Sequence, residues 1–349
     1  MTAPRDVHLF AHIFVKSFQL IFLFLLTLPI SCGSDRPSVY KKTKPLMDTL
    51  VTITVVTNSA RDADKAIESA LSVIENFGNK INFFSDKSEL SAINRNAGIK
   101  AVRVSPDTLG VIERAVFISE KSGGAFDATI GPEIKLWDFH KKIRPADEEI
   151  KRNLPLVNYR DIIVDHDKST VLLRKKGMVM DLGGIAKGYA ADLALADLKR
   201  AGIVAGVIAA AGDIRAFGIK PDGKPWNIGI RNPRQKSDAD ELIARARLTN
   251  KAVSTSGDYE RYFIEDGRRY HHLLDPKTGY PAGLCRSVTV ISDSGIFADG
   301  FSTAVFVSGP DKGMQLAKEA GADAIIIDSD GNIRTTPGIK GMVTFEDSH

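Results

Sequence analysis

The sequence predicts an α+β fold of mixed sheets and packed helices, not a regular doubly wound sheet. Three observations carry this. Residues 50–56 (Leu-Val-Thr-Ile-Thr-Val-Val) alternate at the two-residue period of a strand. Ala63, Ile67, Leu71, Ile74 and Phe77 then recur at helical spacing, which predicts an amphipathic helix over 60–78. Short strands follow one another at 226–230, 243–249, 260–265 and 268–274, the last two flanking the hairpin signal Asp266-Gly267. Helices and strands thus mix without regular βα alternation.

The N-terminus stands apart from this domain. Arg5 and Lys16 precede an almost uncharged run, Ser17 to Ser31, that ends Leu28-Pro29-Ile30-Ser31-Cys32. A positive segment, an apolar segment and a small residue before the cut make an export signal. A cysteine at the next position resembles a bacterial lipoprotein signal, with residues 1–31 removed and Cys32 lipidated, although Pro29 stands where leucine is usual. The alternative is an uncleaved anchor, for which the run falls short of the roughly 20 residues of a span. Both place the body outside the cytoplasm, at the membrane surface. Residues 32–45 are polar, contain Pro37 and Pro45 and read as a tether, leaving one domain over 46–345. The only other cysteine is Cys285, so with Cys32 acylated no intramolecular disulfide is expected. The net charge of +4 is modest and no Lys/Arg run marks a nucleic-acid surface.

Ser105-Pro106-Asp107 opens a second helix that runs to about Ser122, with proline in its first turn. An apolar, β-branched run, Val171 to Leu173 and then Met178 to Met180, reads as the strand that delivers a glycine-rich loop from which a helix leaves over 189–200. Residues 205–217 read as a buried strand with a glycine break. Residues 287–292 predict a strand, 297–307 and 311–320 helices, 323–327 a buried strand, and Asp330-Gly331 the turn of a final hairpin.

Five clusters carry candidate chemistry. In Met180-Asp-Leu-Gly-Gly-Ile-Ala-Lys-Gly-Tyr-Ala-Ala-Asp192 the glycines present backbone N–H groups and a helix start, which hold phosphate. Lys187 adds a charge, and Asp181 suits a metal or a sugar hydroxyl; the plainer reading is an αβ connection with one solvated lysine. The loop 82–94 offers Phe83 and Phe84, either as a stacking platform or as core. Gly123 to Pro132, with Asp127, is a structural turn or a ligand loop. His271 and His272, following Ser254 to Tyr259, face opposite ways on a strand and cannot share one metal; they read either as a neutral pair capping a strand or as one histidine beside a phosphate that acts as a general base. Asp299 and Thr303 share a helix face and offer hard oxygens that suit Mg²⁺; the alternative is a hydrogen bond within the helix start.

Together these clusters resemble the ApbE family of flavin transferases. The likeness runs in order through seven motifs: Met-Asp-Thr at 47–49, Ser-Glu-Leu-Ser-x-x-Asn at 88–94, Gly-Ala-Phe-Asp-x-Thr-x-Gly-Pro at 124–132, the loop at 181–192, Ser-Thr-Ser-Gly-Asp-Tyr at 254–259, His-Leu-Leu-Asp-Pro-x-Thr-Gly at 272–279 and Ala-Asp-Gly-Phe-Ser-Thr-Ala at 298–304. The resemblance implies an enzyme that binds FAD with Mg²⁺, cleaves its pyrophosphate, passes FMN to a threonine of an acceptor and releases AMP. It implies FAD contacts at Met47, Phe84, Ala125, Phe126, Asp127, Asp181, Lys187 and His272, with Asp181 and His272 catalytic and His272 activating the acceptor threonine. It implies Mg²⁺ held by Asp299, Thr303 and the carbonyl of Gly184, where some relatives have alanine or serine. Relatives often carry tyrosine where Phe84 stands, a position that shifts the balance between transfer and FAD hydrolysis. The acceptor implied is a redox-pump subunit or related flavoprotein, met at the periplasmic face of the inner membrane. Two rival functions remain at this stage: a Mg²⁺-dependent FAD pyrophosphatase, and a non-enzymatic flavin-binding lipoprotein.

Overall fold

A computed structural model describes residues 37–234 and 241–346, so the expected signal segment and Cys32 lie outside the described residues. The chain begins with β1 (Ser38–Leu46), β2 (Thr49–Thr57), α1 (Ala60–Ile81), α2 (Glu89–Arg95), β3 (Val102–Arg103) and α3 (Pro106–Lys121). Short α4 (Gly131–Ile134) and α5 (Asp147–Asn153) lead to β4 (Ile162–Asp165), β5 (Thr170–Leu173) and α6 (Ala186–Arg200). Next come β6 (Ala205–Ala210), β7 (Asp213–Phe217), β8 (Trp226–Arg231), β9 (Leu242–Leu248), β10 (Ala252–Gly257), β11 (Tyr262–Glu265) and β12 (Arg268–His271). The chain closes with β13 (Cys285–Ser292), α7 (Gly295–Glu319), β14 (Asp323–Asp328), β15 (Ile333–Thr335) and β16 (Val343–Phe345).

Eight strands form one sheet in the order β1-β2-β6-β7-β10-β13-β14-β15, antiparallel at every pairing. One face, through Ile53, Val288 and Ile326, joins Phe77, Ile112, Leu195 and Phe306 of α1, α3, α6 and α7 in the main core. The other face, through Val56, Val253, Ile291 and Ile325, packs on the β16-β9-β8 sheet around Trp226 and Ala244. Strands covered on both faces read as continuous apolar runs, which is why β6 and β14 show no alternation. Among the described residues no helix is long and apolar enough to cross a membrane.

Four expectations change. The tether is shorter than 32–45, because β1 pairs with β2 from Ser38 onward. Its lysines disguised it: Lys42 reaches Asp64 and Lys44 reaches Glu75 on α1, at 2.9 and 2.7 Å, so charged side chains line an edge strand. Residues 205–217 are two strands, since Ala211 takes a positive φ of 54° and turns the chain back as a hairpin. Residues 178–180 are not a strand; only a bridge from Val179 to Ile130 survives there. Loop 82–94 contains α2, which starts at Glu89 behind a Ser88 side-chain cap. The two expected C-terminal helices are the halves of α7, broken where Gly309 (φ 78°) precedes Pro310.

Candidate active site

The glycine-rich loop is pinned before it becomes α6. Asn94 of α2 accepts from the Met180 N–H at 2.7 Å and donates to the Met180 carbonyl at 2.9 Å. The Asp181 N–H donates to the Ala128 carbonyl at 2.8 Å, which ties this loop to the 125–128 segment. Helices α6 and α7 then cap each other. Asp299 of α7 accepts from the Gly188 N–H at 2.9 Å, while Asp192 of α6 accepts from the Gly295 and Ile296 N–H groups at 2.9 and 3.0 Å. The two backbones approach so closely that a Cβ on Gly188 would stand 2.1 Å from the Gly295 carbonyl oxygen.

Several of the loop's N–H groups are therefore taken up within the protein. Gly183 donates to Asp181 Oδ1 at 2.8 Å, Ile185 and Ala186 to the Leu182 carbonyl at 3.1 and 3.0 Å, and Gly188 to Asp299. These four N–H groups are satisfied within the protein.

What the loop does form is one wall of a carboxylate floor. A Cβ on Gly184 would lie 3.2 Å from Thr303 Oγ1 and 3.2 Å from Phe126, so Gly184, Thr303 and Phe126 meet. Asp299 lies one turn before Thr303 and is 4% exposed. Asp213 of β7, which sequence reasoning missed, completes the floor. Lys187 Nζ sits 3.0 Å from Asp213 Oδ2 and 3.8 Å from Asp299 Oδ2. β10 contributes hydroxyls from alternate residues. Ser254 Oγ donates to Asp213 Oδ1, and Ser256 Oγ lies 2.8 Å from Ser302 Oγ and 3.4 Å from Thr303 Oγ1. Thr255, between them, faces away and meets Thr289.

Burial, and then the Asp213 carboxylate, push Asp299 up to about 7, against Lys187 and the Gly188 N–H. Lys187 is held above the ordinary lysine range: burial opposes its charge, and Asp213 and Asp299 outweigh burial. Two close carboxylates with one ammonium call for a further cation, and the oxygens at hand (carboxylate, hydroxyl, backbone carbonyl) are hard ligands that fit Mg²⁺. Among the described residues no three His, Cys, Asp or Glu side chains gather as a metal cluster, so an ion here draws on the hydroxyl and carbonyl donors.

The remaining predicted residues fall into two groups. Asp181 and His272 both feel the charges of Lys187 and Arg261. The Asp181 carboxyl is raised by burial, against the Gly183 N–H. His271 is satisfied, with Nε2 2.9 Å from the Ala282 carbonyl and Nδ1 accepting from Leu273 N–H at 3.3 Å. His272 is not: its Nδ1 is buried without a partner, and burial followed by the Arg261 charge lowers the ring to about 3. It is a neutral imidazole with an unengaged nitrogen.

Met47, Phe84 and Asp127 make no hydrogen bond, ion pair or ring contact with the floor among the described residues. Met47 and Asp48 form the β1–β2 turn, both at positive φ (51° and 57°), and the Met47 side chain lies on Gly78 of α1. Phe84 is 84% exposed with its edge to Phe83, which packs on the core. Ala125 and Phe126 are buried. The Asp127 carboxylate is fully engaged, accepting from Thr129 N–H and Oγ1–H at 2.8 and 2.6 Å and from Tyr159 N–H at 2.9 Å. It braces its own loop.

Residues 47–326 match the ApbE family. The chain is 33% identical over 337 residues to the FAD:protein FMN transferase of Treponema pallidum (strain Nichols), which covers 91% of this chain and 92% of that protein. Among solved structures it is similar to the ApbE protein of Thermotoga maritima, with a TM-score of 0.80 and 36% identity over 87% of this chain and 98% of that one. It is also similar to the flavinyl transferase ApbE of Pseudomonas stutzeri, with a TM-score of 0.77 and 30% identity over 88% and 97%.

Proposed function

The chain belongs to the ApbE family, and from that premise we propose that it transfers the FMN half of FAD, with Mg²⁺, to a threonine hydroxyl of an acceptor flavoprotein and releases AMP. The observation that carries this reading is the floor assembled from three distant segments: Gly184 on the loop, Asp213 on β7, and Asp299 with Thr303 on α7. Relatives named FAD:protein FMN transferase support it.

Asp299, Thr303 and the Gly184 carbonyl would hold Mg²⁺, with Asp213 adjacent, and the bound ion supplies positive charge to the pyrophosphate oxygens. Lys187 keeps the two carboxylates together and lowers their mutual repulsion. The unpartnered Nδ1 of His272 takes the proton of the acceptor threonine as its Oγ attacks the FMN-side phosphorus. The bond from that phosphorus to the bridging oxygen breaks, and the oxygen leaves on AMP. Burial and Arg261 make His272 a weak base in the free protein; a dianionic pyrophosphate beside it reverses the local field and raises its basicity. The exposed ring of Phe84 offers a face for the flavin to stack on, without the hydroxyl of a tyrosine. On the same reading the protein is exported, lipidated at Cys32 and held at the periplasmic face of the inner membrane, where a redox-pump subunit or related flavoprotein is the acceptor.

Incubation with FAD, Mg²⁺ and an acceptor bearing a threonine site, followed by mass spectrometry, tests the proposal. An FMN adduct on that threonine, with AMP in solution, is expected. Free FMN without adduct identifies a pyrophosphatase instead, and FAD that survives long incubation identifies a carrier. Either result sinks the transferase reading.

A further inference from the structure

The motif at 181–192 gives phosphate binding to Lys187, yet the structure turns that side chain elsewhere. Its ammonium faces Asp213 at 3.0 Å, Asp299 at 3.8 Å and the Gly183 carbonyl at 3.5 Å. A charge matched by two buried carboxylates has little left for a third anion. The other arginines nearby are equally committed. Arg215 is bound to Asp192 and to two carbonyls, Arg234 grips Asp258 with both arms, and Arg269 lies 3.8 Å over the Tyr262 ring.

Arg261 is different. It stands in the turn between β10 and β11, its side chain is exposed, and that side chain makes no hydrogen bond or ion pair with another described residue. Its backbone is nevertheless fixed at the site, because its carbonyl accepts the His272 N–H at 3.1 Å. Its charge reaches Asp181, Lys187 and His272, residues on three separate segments. A guanidinium in that position has a planar pair of donors that matches two phosphate oxygens.

We propose that Arg261 binds the pyrophosphate of FAD, and that Lys187 instead organises the carboxylate floor beneath it. This rests on the reading of the protein as an FAD-using transferase. It also gives the turn residues 258–261 a division of labour: Asp258 is anchored by Arg234, while Arg261 is tied to His272 through its carbonyl.

The test is flavin binding to the purified, metal-free protein, followed by quenching of flavin fluorescence at low and high salt. FAD and riboflavin are compared for the wild type, Arg261→Ala and Arg261→Lys. Loss of a charge-assisted contact predicts FAD affinity weakened about tenfold to a hundredfold in Arg261→Ala, with riboflavin affinity unchanged. Arg261→Lys recovers part of it, and the salt sensitivity of FAD binding falls in Arg261→Ala. Wild-type FAD affinity in Arg261→Ala overturns the assignment, and so does an equal loss for FAD and riboflavin. If Arg261→Ala binds FAD normally while the wild type flavinylates its acceptor, the transferase reading stands alone. If FAD affinity depends on Arg261 but no acceptor is ever modified, the phosphate contact stands and the transferase reading falls.

Discussion

Asp299 and Glu133 are two buried carboxylates in one protein, and their surroundings could hardly differ more. Asp299 is 4% exposed and Glu133 0%. Burial pushes each up to about 7, with the Asp213 carboxylate adding to the effect at Asp299. Asp299 has a lysine and a helix N–H group as partners. Glu133, on α4, has no hydrogen-bond partner for either oxygen and lies against Ile150 and the Gly279 turn. A raised carboxyl is thus no signature of a site by itself. What marks the site is convergence: Asp299 gathers Lys187 and Gly188 of α6 and the Asp213 carboxylate of β7, whereas Glu133 gathers no hydrogen-bond partner. The first is organised to hold charge, and the second is tolerated as a neutral acid.

The largest expected effect falls on the convergent side. Asp299→Ala removes a floor carboxylate and the acceptor of the Gly188 N–H together. Mg²⁺-dependent AMP release should drop by at least about a hundredfold to a thousandfold. Asp299→Asn retains an acceptor for that N–H, so it should fold normally by circular dichroism and still fail to turn over. Full activity in either variant would erase the distinction between the two carboxylates. His272→Ala comes next, with transfer to the acceptor reduced about 10²–10⁴-fold and FAD affinity little changed. Equal loss of binding and transfer would deny the ring its role as base. His271→Ala should do the opposite, lowering stability by about 1–3 kcal/mol through the orphaned Ala282 carbonyl and leaving the chemistry intact if the fold holds.

Much of this contrast was legible in the sequence. Asp299 and Thr303, four apart on an apolar helix, announced a shared polar face, and the adjacent histidines had to point opposite ways. Their unequal fates, one satisfied and one not, depend on Ala282 and Arg261, which no local pattern connects to them. Asp213 was hidden because Ala211, a residue with no turn preference, takes the left-handed conformation; the hairpin looked like one long strand with a glycine break. Ser254 and Ser256 were visible as a motif, but no strand was expected over 252–257, and only β10 puts both hydroxyls on one face. The glycines of 183–188 were read for donors and serve instead for proximity, a fact that exists only once α6 meets α7.

The unpartnered side of the comparison makes a prediction about pH. The carboxyl of Glu133 is raised from 4.5 to about 7 in the folded protein by burial. The fold therefore binds a proton that the unfolded chain releases, so this contribution is fully present below about pH 4.5 and is lost as pH rises through 7. Glu133 should contribute about 3 kcal/mol to the decline of wild-type unfolding free energy across that window in urea titrations, beside the contribution of Asp299. Glu133→Gln should remove its share of the decline and leave that of Asp299, with FAD binding unaltered. A wild-type slope retained in Glu133→Gln would mean that this carboxylate does have a partner, and the contrast with Asp299 would dissolve.

The smallest effect tests how closely the floor is drawn together. Alanine at Gly184 would bring its methyl group to 3.2 Å from both Phe126 and Thr303 Oγ1, closer than a comfortable contact yet short of a clash. The neighbours need to give by only a few tenths of an ångström, so Gly184→Ala should fold and retain turnover with a several-fold weaker response to Mg²⁺. A metal titration of AMP release reads this directly. Gly188→Ala is the control, because 2.1 Å from the Gly295 carbonyl leaves no room for adjustment and α6 must part from α7. If Gly184→Ala titrates like the wild type, Thr303 and the loop are not drawn together at one ion, and the floor reduces to Asp213, Asp299 and the lysine between them.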